Sequence, residues 1–194
     1  MAVVVNAMGK LCPEPVIMTK AEIAKGAAEL EVSVDNDIAV SNVTRLLTNQ
    51  GYSVELEVNG AERKLKAKKT GEAKADAANN SDGKLLAVLV TGKTLGRADA
   101  ELGEVLIKAF LGTLSKLTTR PAIIAFMNEG VKLTLPESSA CEHIKDLEKL
   151  GTKVLVCGTC TTHFNITDKV AAGTISNMFE IMEMITSADK ILSL

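Results

Sequence analysis

Tryptophan is absent from this 194-residue chain and tyrosine occurs once, so aromatic side chains make up only 3% of it. That scarcity removes the stacking platforms on which single-stranded nucleic-acid binders lay successive bases. An excess of either charge is missing as well. The formal net charge is -2, and a balance so near neutrality does not call for a polyanionic partner, so nucleic acid is not expected. Long apolar runs are lacking too: stretches such as 85–90 fall far short of the roughly 20 residues that a membrane helix needs. The first residues, Met-Ala-Val-Val-Val-Asn, have neither the basic flank nor the small-residue cleavage site of a secretory signal. The expectation is a cytoplasmic protein with no membrane partner, whose four cysteines (Cys12, Cys141, Cys157, Cys160) remain thiols.

What is present is enough apolar residue, 46% of the chain, for one ample core or two small ones. Residues 70–83 are small and polar with nothing branched or aromatic to bury, and read as a flexible linker. The expected organisation is therefore a domain over 1–69, the linker, and a domain over 84–194. Each flank is neutral, and the linker carries the net -2.

In the first domain a short strand over 3–6 precedes a helix over about 13–25 that Gly26 ends. Leu30, Val32 and Val34 alternate as a strand, and Asp35-Asn36-Asp37 offers a cap for a helix running to Gln50. Val54, Leu56 and Val58, the turn Asn59-Gly60 and the segment 63–69 form a terminal hairpin. The order β-α-β-α-β-β predicts a two-layer α/β sandwich. The second domain opens with the continuous apolar strand 85–90. A helix over 99–117, a strand over 122–126, a helix over 137–150, a strand over 153–156, a helix over 177–187 and a strand over 190–194 follow. That alternation predicts an open, mainly parallel α/β sheet flanked by helices, with sites beyond the carboxyl ends of its strands.

Cys12 stands between a strand and a helix, with Pro13 at the first helical turn, where a missing N–H is tolerated. Free N–H groups and the positive end of the helix dipole favour a thiolate at such a position, which makes a nucleophile; the alternative is a small buried residue beside a cap. Cys157-Gly158-Thr159-Cys160 follows directly on a strand, which predicts at least one exposed sulfur. The pair suits thiol redox or persulfide exchange, in which one thiolate attacks and the other resolves. The same residues also fit a tight glycine-containing turn with inert thiols. With Cys141, His143 and His163 they fit a four-ligand zinc or iron-sulfur site as well.

Gly9, Leu11, Cys12, Pro13, Pro15 and Val16, set after a first strand in a domain of this order, resemble the TusA/SirA family of small sulfur carriers. The resemblance implies that Cys12 accepts a persulfide sulfur and hands it on. The segment 154–160, followed by Asn165, Asp168-Lys169 and Gly173 to Met178, is similar to the DsrE-like C-terminal domain of the YedF family, whose members join a TusA-like domain to this one. Gly96-Arg97, Asp99, Glu101-Leu102-Gly103 and the segment 128–133 add to that likeness. Together the resemblances imply a sulfurtransferase-like persulfide carrier in sulfur relay or selenium metabolism. No resident cofactor is implied, only a transient persulfide or selenopersulfide on cysteine. They further imply a donor such as a cysteine desulfurase or a small persulfide, a downstream sulfur or selenium acceptor protein, and a homo-oligomer formed through the C-terminal domain. In the wider DsrE-like group a cysteine at the position of Cys157 can carry sulfur, so a relay from Cys12 to Cys157, resolved by Cys160, is the leading expectation. A thiol-redox or metal-sensing module, or an assembly scaffold with inert thiols, are the rivals.

Three other features have plainer explanations. Gly92-Lys93-Thr94 has the end of a phosphate-binding loop without its first glycine, since position 87 is alanine, so Lys93 and Arg97 read first as solvated charges. Arg63, Lys64, Lys66, Lys68 and Lys69 form a basic run that reads first as protection of an edge strand and second as a docking patch. Met178, Ile181, Met182 and Ile185 recur at helical spacing, as core first and interface second.

Overall fold

The computed structural model describes residues 2–11, 13–71, 85–117 and 119–194. Cys12 and nearly all of the linker segment lie outside the described residues. The chain divides into two compact units, residues 1–76 and 77–194.

In the first unit the elements are β1 (Val3–Asn6), α1 (Glu14–Ala24), β2 (Glu29–Val34), α2 (Asp37–Asn49), β3 (Tyr52–Asn59) and β4 (Glu62–Lys69). This is the predicted order. The four strands form one mixed sheet in the order β1-β2-β4-β3, with β1 and β2 parallel and the other pairs antiparallel. Alternation decides the faces: Leu30, Val32 and Val34 of β2 and Leu65 and Ala67 of β4 are buried with Val16, Val43 and Leu47 of the helices. Asn36 caps α2 by accepting the Ala39 N–H at 2.8 Å. Gly26, at φ +86°, ends the turn after α1 in the left-handed region that glycine tolerates best.

The basic run is not on an edge. β4 lies between β2 and β3, and its lysines alternate outward to meet glutamates on both neighbours. Lys66 reaches Glu57 at 2.6 Å, Lys68 reaches Glu29 at 3.3 Å and Lys64 lies 3.9 Å from Glu31. Edge protection is thus replaced by cross-strand charge pairing on the open face of the sheet. The reason is topological, since the hairpin strand that closes the sequence inserts beside β2 and leaves β3 outermost.

The second unit contains β5 (Leu86–Val90), α3 (Ala100–Leu114), β6 (Ile123–Phe126), α4 (Cys141–Lys149), β7 (Lys153–Cys157), α5 (Gly158–His163), β8 (Thr174–Ser176), α6 (Met178–Thr186) and β9 (Lys190–Ser193). Short 3-10 segments cover Asn128–Thr134 and Thr167–Lys169. The sheet is entirely parallel, in the order β8-β7-β6-β5-β9. In β6 and β7 consecutive residues are buried, Ile123 to Phe126 and Val154 to Cys157, as covering on both faces requires.

Two predicted helices are shorter than their apolar pattern. Helix α3 starts after its cap Asp99, which accepts the Leu102 N–H at 3.0 Å, and stops at Leu114. Helix α4 starts only at Cys141, because residues 137–140 turn first. In the stripe on α6, Ile181 and Ile185 are buried while Met178 and Met182 stay partly exposed, so the stripe divides between core and surface.

Candidate functional site

The connections that follow the carboxyl ends of β5, β6 and β7 meet around the Cys157-x-x-Cys160 segment. Strand β7 ends on Cys157, whose extended backbone (φ -65°, ψ 113°) turns the chain directly into α5. The pair therefore opens a helix rather than sitting in a glycine turn. Cys157 is 2% exposed and Cys160 is half-buried, so Cys160 is the more accessible of the two.

Burial pushes the Cys157 thiol up to about 11. The backbone N–H groups of Cys160 and Thr159 favour its thiolate and offset only part of that rise, while the neighbouring Cys160 sulfur raises it further. Cys157 is thus held as a neutral thiol at ordinary pH. The Cys160 sulfur instead accepts the backbone N–H of Asn128 at 3.1 Å. Asn128 opens the 3-10 segment after β6 in a left-handed conformation, φ +48°. Two residues on, Gly130 has no room for a side chain, since a Cβ there would run into the Val90 carbonyl oxygen at the end of β5. This close approach fixes the segment that presents the Asn128 amide. That bond ties the Cys160 side chain to the segment after β6.

The remaining soft residues do not join the pair. Cys141, the first residue of α4, is buried, donates its S–H to the Thr134 carbonyl at 3.5 Å and has its thiol raised by burial. His143 packs over Gly112 of α3, and His163 lies exposed with its ring edge-on to Phe164 at 5.0 Å. Among the described residues no three His, Cys, Asp or Glu side chains are placed to hold a metal ion. The five-ligand set of the metal reading is therefore not assembled. Gly92-Lys93-Thr94 forms no phosphate cradle either: its loop folds onto α3, with the Leu95 N–H donating to the Gly103 carbonyl at 3.0 Å, and Lys93 lies 4.0 Å from Glu104.

In the first unit the residues flanking Cys12 are described. Leu11 is strongly exposed, the Glu14 N–H donates to the Leu11 carbonyl at 2.8 Å, and α1 begins at Glu14, behind Pro13. Gly9 (φ +70°) donates its N–H to Asp35 at 2.8 Å, and this bond, with a second from Asn36, holds the Asp35 carboxyl below its ordinary value. Sequence reasoning took Asp35 only as part of a helix cap. Its hold on the loop after β1, a bond spanning 26 residues, leaves no mark in the sequence. The segment that begins at Asn128 entered the family likeness, but the contact of its backbone amide with Cys160 left no mark in the sequence either.

Residues 3–69 match the family model described as sulfurtransferase TusA, and residues 84–194 match that of the DsrE/DsrF-like family. No curated protein matches the chain. Among solved structures, a SirA-like protein from Desulfitobacterium hafniense is 31% identical over 34% of this chain and 95% of its own, with a TM-score of 0.32. The ychN protein from E. coli is 18% identical over 57% of this chain and 99% of its own, with a TM-score of 0.44. A conserved protein of unknown function from Bacteroides thetaiotaomicron is 17% identical over 59% of this chain and 97% of its own, again with a TM-score of 0.44. Among the described residues no helix is long and apolar enough to cross a membrane.

Proposed function

Because the chain belongs to the DsrE/DsrF-like family and carries a TusA domain ahead of that part, a pairing that implies a sulfur-relay role, we propose that it is a cytoplasmic persulfide carrier that accepts sulfur on Cys12 and passes it to the Cys157/Cys160 pair. Selenium in the same oxidation state asks for the same nucleophile, so the carried atom is S0 or Se0. The observation that carries the reading is the half-buried Cys160 sulfur, held by the Asn128 amide at 3.1 Å beyond the carboxyl end of β7, in a chain whose first domain bears the Cys-Pro-Glu-Pro motif. Sulfur transfer by thiolate attack on a persulfide needs an accessible, stabilised thiolate and no cofactor. The donor is a cysteine desulfurase or a small persulfide, and a second protein takes the atom onward.

The test is to incubate reduced protein with a persulfide donor and map adducts by mass spectrometry. One added sulfur is expected on Cys12 and on the Cys157/Cys160 peptide, the second lost in Cys12→Ser when the donor acts only on the first domain. An unlabelled Cys12 defeats the carrier assignment. A Cys157–Cys160 disulfide with no persulfide on either domain would instead mark a thiol-redox module.

Self-association through the second domain belongs to the same proposal. Leu102 and Val105 of α3 are 54% and 60% exposed, and β9, an outer strand, exposes Ile191 and Leu192. Light scattering should give a multimer that Val105→Glu or Ile191→Glu shifts toward monomer. A wild-type monomer at the concentrations of the transfer assay removes this part alone.

A further inference from the structure

The loops after β5, β6 and β7, together with α3, border an open-sided cavity of about 640 Å3. Its wall includes Lys93, Glu104, Lys132, Glu137, Phe164 and Ile166. The volume falls within the range of about 300–1,000 Å3 of small-molecule sites, and the place, beyond the carboxyl ends of parallel strands, is where open α/β sheets bind ligands.

The lining limits what fits. Two ammonium groups and two carboxylates ring an apolar floor that includes buried Leu133 and Leu135. The Lys132 ammonium lies 3.1 Å from Glu129 and 4.2 Å from the Phe164 ring centroid, which fixes it in place. Lys93 touches Glu104 only at 4.0 Å and stays exposed. A polyanion would meet the two glutamates, and a wholly apolar ligand would strip water from all four charges without replacing it. A small molecule with charge of both signs satisfies them.

Cys160 does not itself line the cavity but neighbours it through two shared elements. Phe164, four residues on, donates its N–H to the Cys160 carbonyl at 3.1 Å, and four helical residues rise only about 6 Å. On the other side, the 3-10 segment whose first amide holds the Cys160 sulfur supplies Lys132 and Leu133 to the cavity. The thiol and the cavity are built from the same two elements.

We propose that this cavity binds a low-molecular-mass thiol carrying both an ammonium and a carboxylate, and that its persulfide delivers sulfur directly to Cys160. The assignment rests on the sulfur-relay reading for the delivery but not for the binding. In the step, the Cys160 thiolate attacks the outer sulfur of R–S–SH. The ligand's S–S bond breaks and its electron pair departs on R–S⁻, a new S–S bond forms at Cys160, and the proton stays on the transferred sulfur. Sulfur changes partner without net oxidation, so no further reactant is consumed. Cys160 rather than Cys157 is the receiving atom, because Cys157 is enclosed.

The binding is tested with thioethers that keep the charges but cannot exchange sulfur. S-methyl-L-cysteine and S-methylglutathione are titrated into the full-length reduced protein and followed by amide NMR. Saturable shifts around Lys132 and Phe164 are expected for at least one probe. The neutral 2-(methylthio)ethanol should not saturate. Ser139→Trp, which fills the mouth from an exposed position, and Lys93→Glu should each weaken binding about tenfold or more, the scale of a lost charge-assisted contact. Absence of saturation by both charged probes, equal binding of the neutral one, or unchanged affinity in both variants overturns the site. For delivery, glutathione persulfide should label Cys160 more slowly in Ser139→Trp than in the wild type; equal rates overturn delivery through the cavity. Labelled Cys12 without probe binding removes this site alone, and probe binding with no persulfide on any cysteine removes the relay and the delivery while keeping the site.

Discussion

A thiol is as nucleophilic as its surroundings allow its thiolate to be, and Cys157 and Cys160, three residues apart, differ in burial. Cys157 closes a buried strand and is shielded on all sides, so removing its proton leaves a charge without water; its thiol is pushed up to about 11. The sign of the linkage follows. A thiol raised above its ordinary 9.0 favours the fold while neutral, so this contribution is complete below pH 9.0 and is lost as pH climbs toward 11. Iodoacetamide on the native protein at about pH 8 should therefore alkylate Cys160 well before Cys157, with Cys157 reacting only as pH approaches its raised value or as the domain unfolds. Peptide mapping over a pH series reads both rates, and equal rates at the lower pH would contradict the enclosure of Cys157. The Cys-x-x-Cys spacing announces a pair, but spacing alone does not rank its members. The ranking comes from burial, while a backbone amide 32 residues away in sequence holds the Cys160 sulfur in place.

At the scale of elements, β4 carries two messages in one strand. Its inward residues Leu65 and Ala67 are buried, and its outward lysines face glutamates of β2 and β3. Leu65→Ala should cost about 2–5 kcal/mol of the first domain's stability, as a fully buried leucine in a central strand does. Lys66→Glu should destabilise the same domain, less so at high salt, because the new carboxylate would face Glu31 and Glu55 across the ladder and lose its bond to Glu57. Denaturant melts at two salt concentrations separate the two mechanisms: a salt-independent loss in Lys66→Glu would mean that charge pairing is not what the lysines provide. The strand itself was legible from its alternation, whereas its neighbours were not. Register tells which face a residue takes, and only the closing of the sheet tells which strand lies outermost. The short elements escaped for a different reason. Helix α5 has six residues, three of them threonine, and β8 has three residues. Neither is long enough to show a period, and both exist because β7 and the core hold them.

Over the whole molecule, two domains each enclose a core of their own, and the proposed handover of sulfur from Cys12 to Cys160 would be a reaction within one chain or between two. Linkage in one chain raises the effective concentration to the order of mM for short flexible connections. Sulfur loaded on Cys12 should therefore reach Cys160 at a rate independent of protein concentration in the wild type. In a mixture of Cys12→Ser with Cys160→Ser chains the transfer should slow on dilution. Quenched-flow labelling with mass detection distinguishes the two, and equal dilution dependence in both would show that the handover runs between chains.

The chain by itself determined a good deal: two α/β domains, their element order, the central strands and the cysteines worth testing. These follow from local periodicity, caps and motif spacing, which a sequence displays directly. Only the tertiary structure decided that β4 is interior, that the second sheet is entirely parallel and that Cys160 rather than Cys157 is open. It alone gathered Lys93, Lys132, Glu137 and Phe164 around one cavity. Those outcomes depend on which distant backbone groups come together and how much water they exclude, and neither quantity is a property of any one stretch of residues.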